Sequence, residues 1–139
     1  MFSLDDCMGF ITNSASKKLS EEFSKRLLHY GITRVNWIAI YYIGENNEIS
    51  QRELSDKMDV NESSIARLLD RMEREELTVR TKDPQDRRTT RVSLTKKGEG
   101  LRTQLIPLAE EFQNDVTKDL TVDELLVFKK VLEKMMENL

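Results

Sequence analysis

A block of basic residues between Arg80 and Arg102 carries the clearest chemical signal in the sequence. It contains eight basic and three acidic residues, a formal charge of +5, although the whole chain has a net charge of −3. Such a local excess of positive charge on an acidic protein is the electrostatic footprint expected of a phosphate-binding surface. A solvated basic loop has the same composition, so the interpretation depends on the elements that carry the block.

Arg87 and Arg88 fall in the polar loop at the centre of this block. Arginine side chains that enter a narrow DNA minor groove gain from its enhanced negative potential, and we expect these two to do so. The neighbouring Asp86 is expected to orient an arginine rather than to meet phosphate. Further basic residues are candidate phosphate contacts, which position a protein on DNA without reading sequence. They are Arg80, Lys82, Arg91, Lys96 and Lys97.

The loop joins two segments of alternating character, residues 77–81 and 90–94, which predict a β-hairpin. Before the hairpin, Ser50 and Glu53 have the spacing of a helix capping box, and Asn61 is a good N-cap for a second helix. This order of helix, tight link, helix and basic hairpin predicts a winged helix-turn-helix. In such a unit the second helix enters the major groove of DNA.

The helix that begins at Asn61 is amphipathic, with Ile65, Leu69 and Met72 on one apolar stripe. Its opposite face carries serines and arginines, which bind phosphate oxygens and base edges. An ordinary surface helix shows the same pattern, but the capped helix before it and the hairpin after it favour DNA binding. The candidate DNA contacts are Ser50, Gln51, Asn61, Ser63, Ser64, Arg67, Arg71, Arg80, Lys82, Asp86, Arg87, Arg88 and Arg91.

Amphipathic helices are predicted on both sides of this unit. Apolar residues recur at steps of three or four from Phe2 to Leu27 and again after Leu101, and Pro107 is expected to kink or break the helix that contains it. Narrow amphipathic helices often complete their burial in a partner subunit, which predicts a homodimer. The predicted fold class is therefore mainly α: one domain over 1–139, with a winged helix-turn-helix at 32–100 and dimerisation helices at 1–30 and 101–139.

Several function classes are disfavoured by the composition. One cysteine, Cys7, and one histidine, His29, leave no metal-ligand cluster and no nucleophile–base set, so no enzyme activity, metal or cofactor is predicted. No uncharged apolar run approaches the roughly 18 residues of a membrane span. Acidic residues stand near Met1 where a signal peptide carries bases. We therefore expect a cytoplasmic protein without a membrane partner.

The hairpin sequence resembles the wing signature of the MarR (multiple antibiotic resistance regulator) family, D-x-R followed by V-x-L-T-x-x-G. Here it reads Asp86-Arg87-Arg88 and then Val92 to Gly98, and residues 51–55 and 63–73 resemble that family's two helix-turn-helix helices. The resemblance implies a homodimer built from the first and last helices, bound to double-stranded DNA at a palindromic operator, with Arg88 in the minor groove. It also implies a repressor that releases DNA when a small lipophilic or phenolic effector binds.

The sequence suggests two further candidate sites. An apolar pocket with a few polar groups is what effector sites look like, and its candidate residues, for which core packing is the alternative, are Phe10, Asn13, Ser14, Trp37 and Tyr41. A subgroup of the family senses peroxide through a thiolate near the start of the first helix, where Cys7 lies. A helix N-terminus lowers a thiol pKa, but Asp5 and Asp6 oppose the thiolate. Redox sensing through Cys7 is therefore an alternative function.

The chain departs from the family pattern on both sides of the second helix-turn-helix helix. Glu75-Glu76 stands where the family has a glycine before the first wing strand, and Glu62 lies on the approach to DNA. Glu62 either lowers the affinity for DNA or selects cytosine by accepting from its amino group. A winged helix used as a protein-interaction module, and an activator rather than a repressor, are further alternatives.

Overall fold

The computed structural model describes all 139 residues, which divide into two compact units, residues 1–108 and 109–139. The chain is mainly helical, as predicted, with one small sheet. None of its helices is long and apolar enough to span a lipid bilayer. In chain order the elements are α1 (Met8–Leu27), α2 (Arg34–Glu45), β1 (Glu48–Ser50), α3 (Gln51–Met58), α4 (Glu62–Arg74), β2 (Thr78–Lys82), β3 (Thr90–Leu94), α5 (Lys96–Val116) and α6 (Val122–Glu137).

The sheet has three antiparallel strands in the order β1-β3-β2. The predicted hairpin is confirmed: β2 pairs with β3, with Arg80 opposite Val92 and Lys82 opposite Thr90. The third strand, β1, was not predicted, because three residues are too few to show an alternating pattern. In β1, Ile49 pairs with Val92 on the edge of β3 that faces away from β2. The buried Val92 therefore lies on the central strand of the sheet.

The first unit is built around a continuous apolar core. The predicted stripe of α4 is buried, with Ile65, Leu69 and Met72 fully inaccessible to solvent. Burial of each such side chain stabilises the fold by about 1.5–3 kcal/mol. Because this stripe faces the core, the opposite face of α4 with Arg67 and Arg71 lies on the surface. Other fully buried members of the core are Leu27, Ala39, Ile40, Ile43, Leu54, Val92 and Leu105.

Side-chain caps start the helices at the predicted residues. The Thr33 hydroxyl accepts from the Asn36 N–H at 3.2 Å, and the Ser50 hydroxyl accepts from the Glu53 N–H at 3.0 Å. Only the Ser50 half of the predicted Ser50–Glu53 box is formed, since the Glu53 carboxylate lies 3.8 Å from Arg91. Each cap satisfies an N–H that the helix itself leaves unpaired.

The first helical segment differs in detail from the prediction. A short 3-10 turn at Leu4–Asp6 precedes α1, and a second 3-10 turn at Leu28–Tyr30 follows it. Gly31, which is left-handed at φ 65°, ends this second turn, as predicted. Only Phe23 and Leu27 of its apolar stripe are buried, whereas Phe2 and Met8 are exposed.

The second unit contains the end of α5 and the whole of α6. Helix α5 continues through Pro107, so of the two expected effects, a kink or a break, the break does not occur. The predicted capping box of α6 is complete, with Thr121 and Glu124 bonding each other's backbone N–H at 3.1 and 2.9 Å. None of the residues of α6 is buried.

Candidate nucleic-acid interface

The N-terminus of α4 presents a compact group of polar side chains. The Asn61 carboxamide oxygen accepts from the Ser64 N–H at 2.8 Å and from the Ser63 hydroxyl at 2.7 Å. These bonds fix Asn61 as the N-cap and leave its amide NH₂ available to a ligand. Arg67 and Arg71 follow on the exposed face of the same helix. The first turns of α4 therefore offer donors and acceptors together with two flexible cations.

The turn from α4 into β2 contains Glu75 and Glu76, where the wing pattern described above has a glycine. Glu76 adopts a left-handed backbone conformation with φ 62°, the region that favours glycine. Its N–H donates to the Glu73 carbonyl and the Leu77 N–H donates to the Met72 carbonyl, both at 2.9 Å. Glutamate thus occupies a helix-ending position where a β-carbon is unfavourable.

The second half of the wing signature has a structural explanation. The Thr95 hydroxyl donates to the Glu76 carbonyl at 2.6 Å and accepts from the Gly98 N–H at 3.0 Å. The Thr95 N–H also donates to the Leu77 carbonyl at 3.1 Å. A β-carbon at Gly98 would lie only 2.3 Å from that carbonyl oxygen. Thr95 and Gly98 therefore tie the start of α5 to the turn that follows α4.

The tip of the wing is organised around Asp86. One carboxylate oxygen accepts from both the backbone N–H and the Nε of Arg88, at 3.1 and 3.2 Å, and the other accepts from the Thr89 hydroxyl at 3.4 Å. The expectation that Asp86 orients an arginine is thereby confirmed. The Arg88 side chain nevertheless remains 94% exposed, and Arg87 beside it is also exposed.

A surface depression of about 400 Å³ lies between the starts of α3 and α4 and the wing. It brings together four of the predicted residues: Ser50, Gln51, Asp86 and Arg88. Its other lining residues are Arg52, Glu62, Thr89 and Thr90.

The sequence reading missed Arg52, Thr89 and Thr90 as possible contacts. Arg52 could have been found from its place beside Gln51, because the first turn of α3 is exposed there. The two threonines carried no comparable signal.

Arg80 has a different environment from the one expected of a phosphate contact. Its guanidinium donates to both carboxylate oxygens of Glu73, at 2.9 and 3.2 Å, and also to the Asp70 carboxylate. The hydrogen bond from Arg80 lowers the pKa of Glu73, and the same bond raises the pKa of Arg80. The charge of Arg80 is thus neutralised within the protein by two carboxylates of α4.

Arg91 is likewise engaged inside the protein. Its Nε lies 3.3 Å from Asp83, and a terminal nitrogen lies 3.8 Å from Glu53 on α3. The hydrogen bond from the Gln85 N–H is the main cause that lowers the pKa of Asp83, and the hydrogen bond from the Arg91 side chain lowers it further. Lys82 donates to the Thr90 hydroxyl at 3.1 Å across the hairpin and keeps its charge on the surface. Of the predicted phosphate contacts on the two strands, Lys82 is the one without an acidic partner.

The proposed effector residues lie on two helices. On α2 the rings of Trp37 and Tyr41 have centroids 5.7 Å apart, and Trp37 is buried. Arg102, which sequence reading did not single out, stacks 5.0 Å from the Tyr41 ring and donates to its carbonyl at 3.2 Å. On α1, Phe10 and Asn13 are exposed, and Ser14 is half-buried.

Cys7 is a free, half-buried thiol at the N-cap of α1. Asp5 and Asp6 lie in the turn immediately before it.

The sequence is similar to those of known DNA-binding regulators. A family model described as a winged helix DNA-binding domain matches residues 32–98. The chain is 34% identical over 109 residues to the HTH-type transcriptional regulator YsmB of Bacillus subtilis, covering 78% of this chain and 75% of that protein. It is 22% identical over 106 residues to the HTH-type transcriptional regulator SarZ of Staphylococcus aureus, covering 76% and 72% of the two chains.

Solved structures show the same fold. A mutant MarR from E. coli complexed with operator DNA has a TM-score of 0.84 at 24% identity, covering 92% of each chain. The MepR–DNA complex of S. aureus has a TM-score of 0.87 at 21% identity, covering 96% of this chain and 98% of the other. The fold and the wing define a winged-helix transcriptional regulator. Within that class, the chain belongs to the MarR family.

Proposed function

We propose that this protein is a dimeric repressor that binds a palindromic double-stranded DNA operator through α4 and the wing. The observation that carries the proposal is the exposure of Arg88, held by Asp86 at the wing tip, beside the exposed polar face of α4. A helix that fits the major groove and an arginine that fits the adjacent minor groove together describe a winged-helix DNA reader. The related MarR and MepR structures were solved with DNA, which supports this assignment.

The proposed contact set follows from which cations keep their side chains exposed on the surface. Arg67 and Arg71 on α4 are suited to base edges and phosphates, and Lys82 on β2 is suited to phosphate. Arg80 and Arg91 are not included, because carboxylates of the protein engage them and only 22% and 32% of their side chains are exposed. The proposed set is Gln51, Arg52, Asn61, Ser63, Ser64, Arg67, Arg71, Lys82, Arg87 and Arg88.

Dimerisation is proposed from the apolar surface of the two terminal segments. In the first unit Phe2 is 78% exposed and Met8 is 52% exposed, and in the second unit Leu126 and Phe128 are about 60% exposed. Large apolar side chains left exposed in this way mark association surfaces. We expect a second copy of the chain to cover them. The molar mass measured by light scattering should then be twice the 16.3 kDa of the monomer.

Effector release is proposed for the aromatic cluster of α2. The half-buried Tyr41 ring packs against the buried Trp37, and the Arg102 guanidinium provides a cation beside Tyr41. A small lipophilic or phenolic molecule has matching chemistry. Phenolic compounds should quench Trp37 fluorescence and lower the affinity for DNA. A compound that quenches Trp37 fluorescence without lowering the affinity for DNA would contradict effector release.

The experiment that tests the proposed function is selection of duplexes from a random pool. We expect an inverted repeat whose half-sites are about one helical turn apart, with binding that weakens steeply as salt is added. Recovery of no salt-dependent duplex would favour the alternative of a protein-interaction module. Placing the selected repeat downstream or upstream of a reporter promoter then separates a repressor from an activator.

A further inference from the structure

Two arginines of the wing region differ sharply in their surroundings. The Arg88 side chain is 94% exposed at the tip, whereas that of Arg80 on β2 is 22% exposed. Arg80 shares a face of its strand with Thr78, which is buried, because alternate residues point to the same side. That face meets α4. Arg80 therefore lies between the wing and the helix rather than at the outer surface.

The contacts of Arg80 are those of a clamp. Its Nε and a terminal nitrogen form a forked pair with the two oxygens of Glu73, and the terminal nitrogen also bonds Asp70. Asp70 and Glu73 are three residues apart on α4 and so point from the same side of the helix. A planar guanidinium that bonds two residues of one helix fixes distance and orientation together.

We propose that Arg80 is a positioning residue that holds the wing at a set angle to α4, and that it does not bind phosphate. The inference rests on the proposed DNA-binding function. It follows from charge as well as geometry: Arg80 with Asp70 and Glu73 has a formal charge of −1, so the cluster does not attract DNA. Its effect on affinity must pass through the placement of Arg88, which is attached to the same hairpin.

The two roles considered for Arg80, a clamp and a phosphate contact, predict opposite changes in DNA affinity for one variant. The double substitution Asp70→Asn with Glu73→Gln removes two negative charges beside the proposed DNA surface and frees Arg80. Coulombic attraction alone predicts tighter binding, and so does a phosphate contact by Arg80. The clamp predicts roughly three- to tenfold weaker binding, because the wing loses its orientation. Arg80→Lys, which keeps the charge and loses the fork, should also weaken binding.

Fluorescence anisotropy of a labelled duplex carrying the repeat selected by the wild-type protein measures these affinities, and circular dichroism checks that each variant is folded. Arg88→Ala should lower the affinity for DNA less in the Asp70→Asn, Glu73→Gln variant than in the wild-type protein. Lys82→Gln is the matched control: it removes a cation from the same strand. It should reduce the magnitude of the slope of log binding constant against log salt concentration by about 0.9. Its effect on the free energy of DNA binding should add to that of Arg88→Ala.

The outcomes separate the two proposals. Equal or tighter binding by the Asp70→Asn, Glu73→Gln variant, or strict additivity with Arg88→Ala, would overturn the clamp and leave DNA binding intact. A wild-type protein that selects no duplex would overturn the proposed function, and the clamp with it.

Discussion

Gly98 in the first turn of α5 lies directly against the backbone carbonyl of Leu77, so that a β-carbon at Gly98 would be 2.3 Å from the Leu77 oxygen. The partner in this contact is backbone, which cannot swing aside as a flexible side chain can. The glycine of the wing signature is therefore explained by close approach of α5 to the start of β2. The same turn also receives the bond from Thr95.

Gly98→Ala is accordingly expected to destabilise the protein. The new methyl group must push α5 away from β2, and overpacking of this kind costs about 1–3 kcal/mol. Urea unfolding followed by circular dichroism measures the loss. Gly100→Ala in the same helix is the matched control, since nothing lies within 4 Å of its β-carbon position. That control should stabilise the helix by up to about 1 kcal/mol, and equal effects of the two substitutions would contradict the explanation.

Glu76→Gly is expected to stabilise the protein. Glu76 has φ 62°, where glycine has no steric penalty, and the substitution also removes a negative charge from a helix C-terminus. We expect a gain of about 0.5–1 kcal/mol in the free energy of unfolding. Glu75→Gly removes the same charge at φ −84° and should not stabilise. If both variants gain equally, charge and not backbone conformation explains the effect.

Stability should fall in acid partly through Glu73. Its pKa is lowered in the folded protein by the hydrogen bond from Arg80, so the ordinary unfolded pKa is the higher one. The stabilisation is therefore fully present above the unfolded pKa and is lost as pH falls through the folded pKa. Glu73→Gln should flatten the fall of the unfolding midpoint below about pH 4.5 relative to wild type. An unchanged acid profile in the variant would contradict this assignment.

Glu62 is expected to oppose DNA binding. It opens α4 and lines the depression that contains Arg52 and Arg88, so its carboxylate lies on the approach to phosphate. Glu62→Gln should tighten binding to the selected duplex, most clearly at low salt where charges are least screened. It should also relax any preference for cytosine opposite this residue. Anisotropy titrations at two salt concentrations test both effects, and weaker binding by the variant would show that the carboxylate is instead a favourable contact.

The features that the sequence predicted correctly are those set by local spacing. Asn61 caps α4 and Ile65 to Met72 form its buried stripe because both follow from periodicity within one helix. The role of Arg80 was not predictable, since its partners Asp70 and Glu73 are met only once β2 folds against α4. Pro107 was expected to kink or break α5, and the structure rules out the break, since the helix is continuous through it.

The most direct test of the central claim compares DNA binding by the wild-type protein and by Arg88→Ala across a salt series. Arg88 is an exposed cation at the wing tip, whereas Lys129 is an exposed cation on α6 that does not belong to the proposed contact set, and Lys129→Ala is therefore the control. We expect Arg88→Ala to bind the selected duplex about tenfold or more weakly and to have a shallower salt slope. The control should match wild type. Equal affinities and equal slopes for all three proteins would contradict the account.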